Sequence, residues 1–162
     1  MNVFSGSCPV CGGADFLLNM VLWPKLIDDW LLSPSEVDYV NRQQGLCCTA
    51  CGNNLRSMAL ADGILSTYDF SGTLAQFVES DSGQKLKVLE INEAGGLSLT
   101  LNKMSNHQLV RYPEYDMTDL AFESDTFDLV IHSDTLDFTI ANSTAGYVGN
   151  EVDIDYNIRN IL

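Results

Sequence analysis

The sequence predicts an α/β protein in which a cysteine-rich module with helices precedes part of a parallel sheet. The first observation is that four cysteines form two matched Cys-x-x-Cys pairs within residues 1–52. The second is that short apolar runs alternate with a glycine-bearing turn and a helical segment from residue 85 onward, which is typical of a parallel sheet. We therefore divide the chain into a cysteine module (1–52), connecting helices (53–84) and a sheet domain (85–162).

The two cysteine pairs are Cys8–Cys11 and Cys48–Cys51, and a glycine follows each pair. Two such turns bring four thiolates within reach of one tetrahedral Zn²⁺. Glycine permits the left-handed turn that directs backbone N–H groups at the sulfurs. Four thiolates fill the coordination sphere, so this pattern predicts a structural zinc ribbon and not a catalytic site. Two disulfides or four unrelated thiols are the alternatives, and Cys47 is the remaining thiol.

The composition argues against several classes of function. The net charge is −14, whereas nucleic-acid backbones are bound mainly by Lys and Arg. A nucleic-acid-binding zinc ribbon is therefore the disfavoured hypothesis. No apolar run approaches about 18 residues, and residues 1–5 lack the pattern of a signal peptide, so we expect neither a membrane span nor secretion. Reduced, metal-binding cysteines favour the cytoplasm.

Helices are predicted within and after the cysteine module. Residues 33–36, Ser-Pro-Ser-Glu, form a capping box, and the helix would run to about Gln44 with Gly45 as its C′ residue. Asn53 or Asn54 would cap a second helix that leaves the metal site, and a third is expected at about 73–79. Apolar residues at helical spacing are predicted to form the core of the cysteine module: Trp23, Leu26, Ile27, Trp30 and Leu31.

The second half of the chain has the pattern of strands and short turns. Residues 81–84 are interpreted as a turn and domain boundary, and residues 86–91 as a buried strand. A glycine-bearing turn and a helix at about 97–104 follow, with further strands at 109–112 and 127–132. Residues 152–159 alternate strictly between apolar and polar, which predicts a half-buried strand covering the edge of the sheet.

Three segments read together resemble class I S-adenosylmethionine-dependent methyltransferases (type 11-like). Residues 88–95, Val-Leu-Glu-Ile-Asn-Glu-Ala-Gly, resemble the first motif of that family. Residues 116–122, Asp-Met-Thr-Asp-Leu-Ala-Phe, resemble its Asp-Ala-x-x-Leu-Pro-Phe segment. Residues 127–136, Phe-Asp-Leu-Val-Ile-His-Ser-Asp-Thr-Leu, resemble its Phe-Asp-x-Val-x-Ser-x-x-x-Leu strand. The resemblance covers about 85–138 and implies a partial Rossmann-like sheet with S-adenosylmethionine as cofactor.

The resemblance also implies a set of cofactor-binding residues. The turn that begins at Glu90 would lie under the methionine and ribose portions, Asp116 would accept from the adenine amino group, and Met117 would pack near the ring. Main-chain atoms at His132 and Ser133 would face the methionine amino group. The whole set is Glu90, Asn92, Ala94, Gly96, Asp116, Met117, His132 and Ser133.

No catalytic residue is assigned from the sequence. A base is sometimes needed for methyl transfer, and His132 is the histidine near the relevant position. We interpret His132 as a strand-end residue in preference to a base, and His107 as a loop residue without a role.

The chain departs from the family pattern in its glycines and in its length. The Gly-x-Gly-x-Gly positions are Asn92, Ala94 and Gly96, and the stretch from Gly96 to Asp116 is too short for a full second strand and helix. Few residues follow Phe138, and none resemble the family's later elements. We expect either a truncated methyltransferase of full, reduced or lost activity, or a non-catalytic zinc-dependent interaction module. The methyl acceptor is unknown, and an uncovered sheet edge would favour oligomerisation.

Overall fold

The computed structural model describes residues 6–116, 120–133 and 150–151, and this part of the chain is mixed α/β. Within these residues, no helix combines the length and the apolar character that crossing a bilayer requires. In chain order the elements are β1 (Phe16–Leu18), α1 (Pro24–Asp29), α2 (Pro34–Gly45), β2 (Leu46–Cys48), α3 (Leu55–Thr67), α4 (Leu74–Glu79), α5 (Asp81–Lys85), β3 (Lys87–Ile91), a 3₁₀ turn (Gly95–Leu97), α6 (Ser98–Leu101), β4 (Asn106–Val110), β5 (Leu129–His132) and β6 (Asn150–Glu151).

The cysteine module is organised by a two-stranded antiparallel ribbon. Strand β1 pairs with β2, and Phe16 lies opposite Cys48. The first cysteine pair precedes β1, and the second begins at the last residue of β2. Pairing of the two strands therefore brings the two cysteine turns to the same end of the ribbon, while α1 and α2 form the insert between the strands.

Helix α2 begins as its capping signal predicts. The Ser33 side chain accepts a hydrogen bond from the Glu36 amide, and the Glu36 side chain accepts one from the Ser33 amide. The predicted capping box is therefore confirmed. The C′ role predicted for Gly45 is wrong, because Gly45 is the last residue of the helix. Glycine is needed there for close approach: a Cβ on Gly45 would lie 1.9 Å from the Asn19 carbonyl oxygen.

The prediction that the apolar residues around α1 form a core is wrong for most of them. Trp23 is 58% exposed, Trp30 67% and Leu31 88%, while Leu26 and Ile27 are partly exposed. Helix α1 contains no buried residue. It ends at Asp29, and Leu31 has a left-handed φ of 53°. The helical spacing therefore does not continue on one helix, and these residues do not share one buried face.

Helix α3 is the centre of the described core. Asn54, one of the two residues predicted to cap this helix, is its N-cap. The Asn54 side chain accepts a hydrogen bond from the Ser57 amide at 3.0 Å. Most of the helix is buried, and Asp62 is one of its exposed residues. One apolar cluster joins the cysteine turns, α3, α4 and one face of the sheet: its members include Cys8, Val10, Met58, Ile64, Phe77, Val88, Leu97, Leu129 and Ile131.

A parallel sheet with the strand order β4–β3–β5–β6 occupies the second half. Alternate residues of β3 face opposite sides: Val88 belongs to the core shared with α3, whereas Leu89 and Ile91 belong to a second cluster with Val110 and Phe127. This alternation is the expected two-residue period of a strand. Central strand β3 is thus covered on both faces.

Several boundaries in this half differ from the predicted ones. Residues 81–84 lie in the short helix α5 and not in a turn, and the predicted helix at 97–104 is a 3₁₀ turn followed by one turn of α-helix. Strand β4 occupies 106–110, so the stretch before Asp116 does hold a second strand. Helix α6, which precedes β4, ends at Leu101, and its shortness leaves room for the strand.

The neighbour of β5 on its far side is β6, whose Asn150 pairs in parallel with Leu129. The edge strand predicted at 152–159 lies outside the described residues. Met117 also lies outside them.

Candidate functional site

The two cysteine turns have the same backbone geometry. In the first, the Cys8 amide donates to the Gly13 carbonyl at 2.8 Å and the Gly12 amide to the Cys8 carbonyl at 2.7 Å. In the second, the Cys48 amide donates to the Asn53 carbonyl at 2.9 Å, and the Gly52 amide to the Cys48 carbonyl at 2.8 Å. The glycines have left-handed φ values of 81° and 75°, which glycine adopts without strain. The turns are therefore related as two copies of one motif.

The four predicted ligands come together. The Sγ atoms of Cys8, Cys11, Cys48 and Cys51 all lie within 4.8 Å of one another. The Cys8–Cys51 and Cys11–Cys48 sulfur pairs are each 3.7 Å apart. A tetrahedron with Zn–S bonds of about 2.3 Å has edges of about 3.8 Å, so the cluster has the size that zinc requires. A disulfide would need about 2.05 Å, and all five cysteines are free.

The thiols of the cluster differ in acidity because their surroundings differ. Burial raises the pKa of Cys8 and of Cys11 above the usual value of a thiol. For Cys51, burial acts in the same direction, but hydrogen bonds from the Asn53 side chain and backbone outweigh it and lower the pKa. Metal binding displaces thiol protons, and Cys51 gives up its proton more readily than Cys8 or Cys11 does.

Cys47 lies beside the cluster without joining it. Its Sγ is 4.0 Å from the Gln44 carbonyl oxygen, and burial raises the pKa of its thiol. Cys47 forms an isolated antiparallel bridge with Asn54. On a strand, adjacent side chains point to opposite faces, so Cys47 and Cys48 cannot both face the other three thiols.

Glu90 is the acidic residue of the first resemblance motif, and its side chain is completely buried. One carboxylate oxygen accepts from the Ala94 amide at 2.7 Å and from the Ser98 hydroxyl. The other lies 2.8 Å from Nε2 of His107. Burial opposes ionisation of this group, but the hydrogen bonds from His107, Ser98 and Ala94 outweigh it and lower the pKa of Glu90. Glu90 therefore holds the following turn and β4 in place.

The interpretation of His107 as a loop residue is wrong, because it lies in β4 with a side chain only 3% exposed. Its contact with Glu90 was missed at the level of sequence. The available signal was the acid in the middle of an apolar run, since a buried carboxylate requires a hydrogen-bonding partner.

The turn after β3 is strained and tied to β4. Asn92, Glu93 and Gly95 have left-handed φ values of 56°, 59° and 61°. The Asn92 side-chain oxygen accepts from the Tyr112 amide at 2.9 Å. Asn92 and Glu93 are exposed, whereas Ala94 is completely buried. The side of the turn that faces solvent is therefore formed by 92–93 and the two glycines.

The glycines of this turn lie against the start of helix α3 and the residue that precedes its N-cap. A Cβ on Gly95 would lie 2.4 Å from the Ser57 hydroxyl oxygen, and a Cβ on Gly96 would lie 2.4 Å from the Asn53 side-chain oxygen. The Gly96 amide donates to the Ser57 hydroxyl at 3.1 Å. These glycines were expected to make room for a ligand, whereas the side chains of Ser57 and Asn53 already occupy the space beside them.

The remaining predicted cofactor residues lie at or after the ends of strands. His132 is the last residue of β5 and is 7% exposed, and Ser133, which follows it, is partly buried. Asp116 is exposed. An open cavity of about 440 Å³ lies elsewhere, between Pro9, the exposed side of α3 and the 69–72 loop, and includes none of the predicted cofactor residues in its lining.

Comparison with known proteins adds no relative: no protein-family model, curated protein or solved structure matches the chain.

Proposed function

We propose that this protein is an S-adenosylmethionine-dependent methyltransferase with a partial Rossmann-like sheet and a structural zinc ion on its four cysteines. The strand order is the observation that carries the proposal. The chain passes from β3 to β4 on one side and then to β5 on the other. In open parallel sheets, ligands bind at the carboxyl ends of the strands where the order reverses in this way. That point is between β3 and β5.

The first and third resemblance segments end at the same edge. Ile91 is in register with Val110 of β4 and with His132 of β5. Asn92 and Ser133 are thus the first residues beyond two adjacent parallel strands. A cofactor at this edge would contact the exposed backbone at 92–93 and main-chain atoms near Ser133, and Asp116 would receive the adenine amino group.

The chain's own residues would act mainly by alignment. S-adenosylmethionine, when bound, supplies an electrophilic methyl group on a sulfonium sulfur. Methyl transfer then depends chiefly on holding the acceptor in line with that group. In this proposal Glu90 does not contact the ligand. Its carboxylate fixes the Ala94 amide and with it the conformation of the turn.

Zinc would have a structural role. The sulfur separations fit a tetrahedral ion, and four thiolates leave no coordination position for a substrate. A reducing cytoplasm would keep these thiols available. The ion would hold the two cysteine turns against each other and thereby fix the start of α3.

Calorimetric titration of the zinc-loaded protein with S-adenosylmethionine tests the proposal. Saturable micromolar binding, weakened by Asp116→Ala, is the expected result. Glu114→Ala is a matched control, because it removes another exposed carboxylate from the same loop. Absence of binding at millimolar cofactor would reject the methyltransferase proposal.

The second candidate function is a non-catalytic zinc-dependent interaction module. Two observations favour it. Ala94 and the glycines of the turn are occupied by the protein's own packing. The cysteine module also exposes large apolar side chains, among them Trp23, Trp30 and Leu31, and exposed apolar patches often mark binding surfaces. Failure of the cofactor titration would leave this candidate.

A further inference from the structure

The two cysteine turns differ in the second residue after the second cysteine, next to the metal ligands. In the first turn this residue is Gly13, where a Cβ would lie 2.9 Å from the Cys48 sulfur. In the second turn it is Asn53, whose side chain is present and only 4% exposed. At this position the second turn therefore carries a buried polar side chain that the first turn lacks, and it immediately precedes the N-cap of α3.

Asn53 contacts the candidate metal centre through its amide nitrogen. Nδ2 lies 3.4 Å from the Cys51 sulfur and donates to it. This hydrogen bond ties the orientation of the carboxamide to the position of the Cys51 sulfur. A metal ion bound to Cys51 would fix the position of this sulfur and with it the orientation of Asn53.

The opposite end of the same carboxamide contacts the turn after β3. Oδ1 of Asn53 is buried, with no hydrogen-bond partner among the described residues, and a Cβ on Gly96 would approach it to 2.4 Å. The backbone of Gly96 is not left-handed, unlike that of Gly95. A Cβ at 96 would therefore displace the Asn53 carboxamide, whereas the backbone conformation of Gly96 does not itself demand glycine.

We propose that Asn53 is a positioning residue that couples the metal centre to the turn formed by residues 92–97. The Cys51 thiolate orients the Asn53 carboxamide, and the carboxamide sets the space available to Gly96. Loss of the metal or of the side chain would shift the turn and lower its affinity for a ligand. This last step rests on the proposed function, whereas the coupling itself does not.

The coupling is measured without a cofactor. The chain loaded with ¹¹³Cd²⁺ reports the metal site through the cadmium resonance and the turn through the amide resonances of Gly95 and Gly96. Asn53→Ala is expected to shift both sets and to weaken metal affinity about tenfold, as the loss of a hydrogen bond to a ligand does. Leu99→Ala is the control, because Leu99 is 84% exposed and close to the turn in sequence. Unchanged Gly96 and cadmium resonances in Asn53→Ala would overturn the proposal.

A second variant leaves the cysteine turns intact. Gly96→Ala places a methyl group against Asn53, and we expect it to speed the loss of zinc to a chelator severalfold. In the Asn53→Ala background the same substitution should have little effect, because the side chain that transmits the displacement is gone. Equal effects of Gly96→Ala in the two backgrounds would contradict the coupling.

The ligand step is then tested by titrating S-adenosylmethionine into the wild type and Asn53→Ala, both fully metal-loaded. Weaker binding by the variant is expected. Equal affinity, together with shifted Gly96 resonances, would overturn the ligand step alone. If the wild type binds no cofactor, the proposed function is rejected. The resonance and chelator measurements test the coupling independently of that result.

Discussion

Nε2 of His107 lies 2.8 Å from Oε2 of Glu90, and the two side chains are 3% and 0% exposed. The contact joins the first two strands of the parallel sheet in a position that water does not reach. The Ser98 hydroxyl and the Ala94 amide complete the surroundings of the carboxylate. A buried carboxylate is tolerated only with such partners, so these groups depend on one another.

Replacement of Glu90 by alanine should strongly destabilise the protein. The change leaves His107, the Ser98 hydroxyl and the Ala94 amide without their acceptor in a buried site, which costs about 3–5 kcal/mol. Urea denaturation of the metal-loaded protein measures the change. Glu93→Ala is the control, because the Glu93–Arg111 pair is more than half exposed, and we expect a loss of at most about 1 kcal/mol. Similar losses for the two variants would contradict the role of Glu90.

The contribution of Glu90 should depend on pH in a defined direction. Its pKa is lowered in the folded protein, so its stabilisation is fully present above the unfolded-state pKa of about 4.3. It is lost as the pH falls through the lowered, folded-state pKa. The difference in free energy of unfolding between the wild type and Glu90→Gln should therefore shrink on acidification below that range. Urea denaturation of both proteins at several pH values and equal metal content tests this. If the difference in free energy of unfolding grew on acidification, the pKa of Glu90 would be raised and not lowered in the folded protein.

One zinc ion per chain is expected on the four clustered thiols. Elemental analysis of the purified protein should find it, and Cys48→Ser should lose it because one of four ligands is removed. Cys47→Ser is a matched control, since it removes the neighbouring thiol that lies outside the cluster. A well-folded protein without metal, or equal metal loss in both variants, would refute the zinc assignment.

The cap of α3 should contribute measurably to stability. Asn54→Ala removes the acceptor of the Ser57 amide, and loss of such an N-cap typically costs about 1 kcal/mol. Ser66→Ala alters an exposed position on the same helix and should change the free energy of unfolding by less than about 0.5 kcal/mol. Thermal or urea unfolding of the pair provides the comparison, and a neutral Asn54→Ala would contradict the cap.

The tryptophans should behave as exposed residues. Trp23 and Trp30 are more than half exposed, so the fluorescence of the native protein should resemble that of indole in water and be readily quenched by acrylamide. Trp30→Ala should alter the free energy of unfolding by less than about 0.5 kcal/mol. Blue-shifted, protected emission would instead support the buried core that the helical spacing suggested.

Features that depend on residues close together along the chain were predictable from the sequence. The capping box at 33–36, the cap of α3 and the parallel strands around 87–91 and 129–132 all arise from patterns a few residues long. The cysteine spacing likewise indicated two turns with left-handed glycines, because each turn closes on itself through its own backbone hydrogen bonds.

The tertiary structure alone decided which side chains meet across long separations. The space beside Gly96 is occupied by Asn53, which lies just before α3. His107 is buried against the Glu90 carboxylate. Trp30 is exposed because α1 ends before its apolar spacing can form one face. A local pattern specifies the conformation of a segment, whereas the identity of its neighbour is set by how distant segments pack together.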